Sequence, residues 1–217
     1  MRSLALLSAL AVNIMSIPGA QAEAGDVLVR LRAITVAPTE SAGGVNPTFP
    51  GGSVEVDNAY APEIDFTYFF TNHIAAELIL ATTKHNISGD GDLAALGDIA
   101  ETRVLPPTVT LQYHPYPDAQ ISPYVGVGLN WTQFYSEDTT SNLSDAIGTT
   151  KINLDGSVGI AFQLGADYKI DDKWFFNVDV KYIDIDTTAT LNTGGLINTV
   201  DVDLDPFVAG FGIGRRF

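Results

Sequence analysis

Apolar and polar residues alternate with a period of two along eight stretches of this chain. That pattern predicts β-strands with one greasy face and one polar face. Val27, Val29, Leu31 and Ala33 alternate with Leu28, Arg30 and Arg32 in the first stretch. The second sets Ile64, Phe66 and Tyr68 against Glu63, Asp65 and Thr67, and the third Ile74, Ala76, Leu78 and Leu80 against Ala75, Glu77 and Ile79. Val109, Leu111 and Tyr113 then oppose Thr110, Gln112 and His114, and Val125, Val127, Leu129 and Trp131 oppose Gly126, Gly128, Asn130 and Thr132. The sixth and seventh pair Phe162 and Leu164 with Gln163, Gly165 and Asp167, and Phe176, Val178 and Val180 with Asn177, Asp179 and Lys181. The last alternates Phe207, Ala209, Phe211, Ile213 and the terminal Phe217 with Gly210, Gly212 and Gly214.

The connections alternate too. Residues 71–73, 115–122 and 171–173 are short, whereas 38–57, 84–105, 137–155 and 188–198 are long. Both patterns predict an all-β fold: an eight-stranded antiparallel transmembrane β-barrel with short periplasmic turns and long extracellular loops. A soluble eight-stranded barrel needs no such asymmetry. The polar parity decides the facing, because its small and ionised residues suit a narrow lumen just wide enough for side chains. Residues 90–100 allow a short helix inside the second long loop.

Inward parity carries Arg30, Arg32, Lys169 and Lys181 against Glu63, Asp65, Glu77, Asp167 and Asp179. Near balance of charge predicts a paired plug in the lower lumen, since isolated buried charges are costly. The broad water-filled pore is thereby disfavoured. Further up, the apolar parity switches. Asp201, Asp203 and Asp205 take the outward positions, and Val200, Val202 and Leu204 the inward ones. The seventh strand does the same at Ile183 and Ile185 against Asp184 and Asp186, and the first at Ile34 and Val36. Strands seven, eight and one are neighbours in a closed barrel, so these residues predict a contiguous apolar wall above the plug, with Ile79 and Phe134 of compatible parity. Strands two and six show no switch, which predicts a one-sided wall. The competing explanation is a set of β-bulges, near Pro206 for one, that shift parity without functional meaning.

The N-terminus reads as a secretory signal peptide over residues 1–22: Arg2, an apolar run over 4–12, and Ala20-Gln21-Ala22 as the cleavage site. Residues 23–217 are then the outer-membrane barrel domain. Loss of Arg2 takes the formal charge from −15 to −16, which argues against nucleic acid as a partner. The chain has no cysteine, so disulfides and thiol chemistry are excluded.

Catalysis finds little support. A lipid hydrolase needs a nucleophile beside a histidine, yet His73 falls in a short turn, His85 starts a long loop where exposure is expected, and His114 has lumen parity without a Gly-x-Ser-x-Gly elbow. The protein is predicted not to be an enzyme. Asp201-x-Asp203-x-Asp205 lacks the glycine and distal glutamate of a calcium loop, and no metal or cofactor is predicted. Trp131, Trp174 and Tyr124 are expected to be interface anchors. The glycines of the last strand are expected to permit close packing.

The chain resembles the OmpW family of small outer-membrane proteins. The similarity rests on Ala24-Gly25-Asp26-Val27-Leu28-Val29-Arg30, on Tyr68-Phe69-Phe70-Thr71-Asn72-His73-Ile74, on Leu105-Pro106-Pro107-Thr108, on Pro123-Tyr124-Val125-Gly126-Val127-Gly128, on Tyr182-Ile183-Asp184-Ile185-Asp186-Thr187 and on Leu204-Asp205-Pro206-Phe207, in that order. The resemblance implies an eight-stranded barrel with a hydrophobic channel open to the outside, from which small apolar molecules leave sideways through a gap in the wall. Arg215 departs from the family, which usually has an aromatic residue before the final Arg-Phe. The resulting expectation is an outer-membrane channel for small hydrophobic molecules, with both termini periplasmic. Pro106 and Pro107, which lack ladder donors, would sit near the lateral exit, and Phe217 would serve as the assembly signal. Expected partners are outer-membrane lipid and lipopolysaccharide, the barrel assembly machinery and small hydrophobic ligands. The alternative is a non-transporting envelope barrel whose loops bind surface partners.

Overall fold

A computed structural model describes residues 23–217; the predicted signal peptide lies outside the described residues. The chain runs up and down eight times in one circuit around a single axis. β1 is Val27–Ala37. β2 is Ala59–Phe69, with Gly52–Val56 running ahead of it. β3 is Ile74–Ala81, resuming as Thr83–Gly91, and β4 is Asp98–Leu105 followed by Thr108–Tyr113. β5, Ile121–Thr139, is unbroken. β6 is Thr150–Leu154 then Ser157–Lys169, β7 Trp174–Ile183 then Asp186–Thr193, and β8 Leu196–Asp203 then Phe207–Arg216. Neighbours pair antiparallel, and β8 returns to β1 from Leu28↔Arg216 to Ala37↔Phe207. Within the apolar belt this closure joins the first strand to the last, which is how a sheet satisfies its backbone in lipid.

Leu31, Leu111, Leu129, Phe162, Val178 and Phe211 stand exposed on the outer face, while their alternating partners are buried in the lumen. Aromatic rings mark both rims of this apolar belt. Tyr68, Tyr113, Tyr168, Trp174 and Phe217 lie toward the short connections, and Trp131 and the packed pair Tyr182–Phe207 toward the other end. Such girdles are characteristic of transmembrane barrels.

Of the segments expected to be long loops, 84–105 and 188–198 are largely strand, and 38–57 and 137–155 hold shorter strand pieces. They carry the sheet above the belt, and there the wall divides. Gly52–Val56, both upper parts of β3 and β4, and upper β5 form one sheet. Thr150–Leu154, upper β7, upper β8 and the short strand Ser41–Ala42 form a separate one. Among the described residues no ladder joins upper β5 to upper β6, nor Ser41–Ala42 to Gly52–Val56. A helical turn at Ala94–Leu96 lies within the span expected to allow a helix, whereas the short helix Ser141–Ile147 falls in the third long connection, where none was expected; Leu93 and Leu143 enter the upper apolar core.

The apolar switch is not a set of bulges. Tyr182↔Phe207 and Asp186↔Asp203 belong to one register, so even-numbered residues of β8 face inward along its whole length. Val200, Val202, Pro206, Val208 and Gly214 are all buried. What changes is the outside: lipid below, water above.

Candidate functional site

The lower lumen is filled by ionised side chains. Arg30 meets Asp65 at 3.0 Å, Glu77 at 3.3 Å and Asp167 at 2.9 Å. Arg32 meets Glu63 at 2.8 Å, Asp65 at 2.9 Å and Asp179 at 2.7 Å. Lys181 bridges Glu63 at 3.0 Å and Asp179 at 2.8 Å. Five carboxylates thus face three cations, and neutral donors supply the difference. Gln112 donates to Glu77 at 2.8 Å, Gln163 to Asp179 at 3.0 Å and Asn177 to Asp167 at 2.8 Å. Lys169 does not join this network; it lies half-buried at the short-turn end, beside Arg216.

Tyr124 is not an interface anchor. Its parity follows Gly126 and Asn130 into the lumen, where it is 1% exposed. Asn177 donates to its hydroxyl at 3.0 Å, and the Arg30 guanidinium lies 5.4 Å from its ring. Gly165 pairs with Tyr124 across the sheet, and a Cβ there would sit 2.4 Å from the ring. On β8 a Cβ at Gly214 would meet the Phe175 ring at 2.2 Å. These glycines make room for the plug.

Above the plug the lumen becomes an apolar cavity whose floor includes Lys181 and Glu63. Ile34, Val36, Ile79, Phe134, Ile183, Ile185, Val200, Val202 and Leu204 all line it. The wall is not one-sided. Val54, Val56, Ile87, Ile99, Val104, Ile152, Leu154 and Leu191 line the opposite side. These belong to the segments expected as loops. Higher up, Val45, Phe49, Leu93, Leu96, Leu143 and Ile147 enclose a second, smaller apolar space that shares Val54, Ile99, Leu191 and Val200 with the first.

The wall ladder lapses beside this cavity. β3 and β4 pair up to Ile79↔Thr108 and again from Thr83↔Val104; between these pairs stand Pro106 and Pro107, which have no N–H to give. Pro106 lines the cavity. Pro107 still accepts from the Trp131 N–H at 3.0 Å, so the β5 side holds and the β3 side does not. On the other flank of β3 the ladder ends at Glu63↔Ala81 and resumes at Val56↔Ile87. Thr82 therefore belongs to neither ladder. Its hydroxyl shares a 2.6 Å hydrogen bond with the Tyr135 hydroxyl.

His85 is not exposed. It is 5% exposed and lines the cavity. Its Nδ1 lies 2.8 Å from the Asp57 carbonyl and its Nε2 2.9 Å from Thr83 Oγ1, and burial holds its pKa below the ordinary histidine value. His114 is buried, with Nε2 3.1 Å from Gln112 Oε1, and His73 is exposed at its turn. The carboxylates that approach one another are Asp184, Asp186 and Asp205, within 4.8 Å, rather than the Asp201-x-Asp203-x-Asp205 run.

Residues 23–217 match the model of the OmpW family. The chain is 40% identical over 196 residues to outer membrane protein W of Salmonella typhimurium, covering 90% of each. It superposes on the crystal structure of the outer membrane protein OprG from Pseudomonas aeruginosa with a TM-score of 0.85 at 34% identity, covering 91% of this chain and 98% of that one. It is also 27% identical over 171 residues to the dibenzothiophene metabolism operon protein PahQ of Pseudomonas aeruginosa, covering 77% of this chain and 76% of that protein.

Proposed function

This chain belongs to the OmpW family of Gram-negative outer-membrane proteins, and from that premise we propose that it admits small hydrophobic molecules through the outer membrane. The observation that carries the reading is the junction of an apolar cavity with a floor of buried ion pairs, beside a lapse in the wall. In this reading the short turns and both termini are periplasmic and the divided upper wall faces the outside. An apolar molecule leaves water for the cavity because burying its surface is favourable by roughly 25 cal/mol per Å². It cannot continue down, since the plug would have to lose its ion pairs. The remaining way is sideways, between β3 and β4 at Pro106 and Pro107, into lipid. The kinship with a protein named for dibenzothiophene metabolism supports the class of molecule, because dibenzothiophene is a flat, apolar heterocycle.

The test is uptake of a medium-chain alkane by cells carrying the protein, by cells lacking it, and by cells carrying an assembled Val202→Asp variant. The expected result is faster uptake that the Asp variant abolishes. Equal uptake in all three would instead favour a non-transporting barrel whose loops bind surface partners.

A further inference from the structure

The cavity is greasy, but seven polar side chains line it, and their protons are all committed elsewhere. Thr108 donates to the Pro106 carbonyl at 3.0 Å and Thr187 to the Asp155 carbonyl at 2.8 Å. Thr102 donates to the Arg103 carbonyl at 3.4 Å, the longest of these bonds. A carbonyl only accepts, so the His85 Nδ1 facing Asp57 carries the ring proton. The bare Nε2 then accepts from Thr83. Lys181 donates to both oxygens of Glu63 and pairs with Asp179. Glu63 has no proton to give as a carboxylate. Each of the four threonine oxygens keeps at least one lone pair, because a hydroxyl has two acceptor sites and one donor.

We infer that this cavity is a hydrogen-bond acceptor surface, and that among small apolar molecules it selects those with one uncharged donor, a phenolic or alcoholic hydroxyl. The inference rests on the channel reading above and sharpens its substrate class. A hydroxylated guest gives its proton to a threonine oxygen and leaves no buried polar group unpaired. A ketone, aldehyde or ether brings an acceptor to lining side chains whose protons are already given away, and loses the hydrogen bond it had in water, which is penalised. A carboxylate is excluded more strongly, because it also meets Glu63 and a plug in which carboxylates outnumber cations. The absence of a free donor also bears on Thr83 and His85. They have the spacing of a nucleophile and base, but no lining side chain has a proton to stabilise an oxyanion.

The test uses the full chain in nanodiscs and equilibrium dialysis against three probes of similar shape: p-xylene, p-cresol and p-tolualdehyde. Binding to empty nanodiscs is subtracted from each. The expected result is that p-cresol binds roughly 3- to 10-fold more tightly than p-xylene, the span of one net hydrogen bond, and that p-tolualdehyde binds more weakly than either. In the double variant Thr102→Val/Thr187→Val, which keeps shape and removes two acceptors, the preference for p-cresol should shrink while p-xylene binding holds. If p-xylene binds but p-cresol is not favoured, or p-tolualdehyde matches p-cresol, the acceptor-surface inference falls and the channel reading stands. If no probe binds above the empty discs, both fall together.

Discussion

The two halves of this barrel are built from the same eight strands in the same register, yet they solve opposite problems. Below, the outside is lipid and the inside is charge. Above, the outside carries Asp184, Asp186, Asp201 and Asp203 and the inside is apolar. The lower lumen is filled: Arg30 and Arg32 are at most 1% exposed and each pairs with several carboxylates. The upper lumen keeps open space between two sheets that, among the described residues, no ladder closes on either side. The contrast teaches that a β-strand does not fix which chemistry faces inward. Parity fixes which residues face inward, and the medium outside fixes what their partners must be.

The sharpest way to break this contrast is at Arg32. Replacing it with methionine leaves Glu63, Asp65 and Asp179 short of a cation, and loss of one partner from a buried pair costs roughly 3–5 kcal/mol. Urea unfolding in lipid vesicles should show that loss, and planar bilayers should show raised ion conductance. A loss below about 1 kcal/mol would mean that water already screens the plug. In the upper half, Ile185→Ala should cost less than the roughly 2–5 kcal/mol of a packed core, because Ile185 faces open cavity. The same unfolding experiment decides it, and a full core-sized loss would mean that the upper half is packed rather than hollow. The smallest effect concerns pH. His85 is held neutral by burial, so the unfolded chain takes up its proton first as pH falls. Stability is therefore complete above the ordinary pKa of 6.5 and is lost as pH drops toward the lowered folded value. Hydrogen-exchange protection over residues 82–85, taken relative to the intrinsic rate at each pH, should fall below pH 6.5, and His85→Gln should flatten that dependence.

Much of the lower half was legible in sequence because lipid imposes a strict alternation. Leu31, Phe66 and Leu111 had to be apolar, and that left Arg30, Asp65 and Gln112 marked as inward. Tyr124 was misread for its residue type, although its parity with Gly126 and Asn130 pointed into the lumen. The upper half was legible only where Ile183, Ile185, Val200 and Val202 formed long runs beside acids. Val54, Ile99 and Leu154 lie on short strand pieces among glycines and aspartates, where water outside demands no greasy partner, so nothing flagged their facing. His85 shares its parity with Glu77, Ile79, Ala81 and Thr83, a signal hidden by the break at Thr82.

Closure of the cylinder by β8 against β1 also sets an order in time. The strand synthesised first cannot be flanked on both sides until the strand synthesised last has arrived, and Arg32 must wait for Asp179, 147 residues further along the chain. Until then two raw strand edges and a half-neutralised arginine pair stand open together. Sealing the wall and neutralising the lumen are thus one event, so a barrel halted short of its last strand is neither insulated nor electrically quiet.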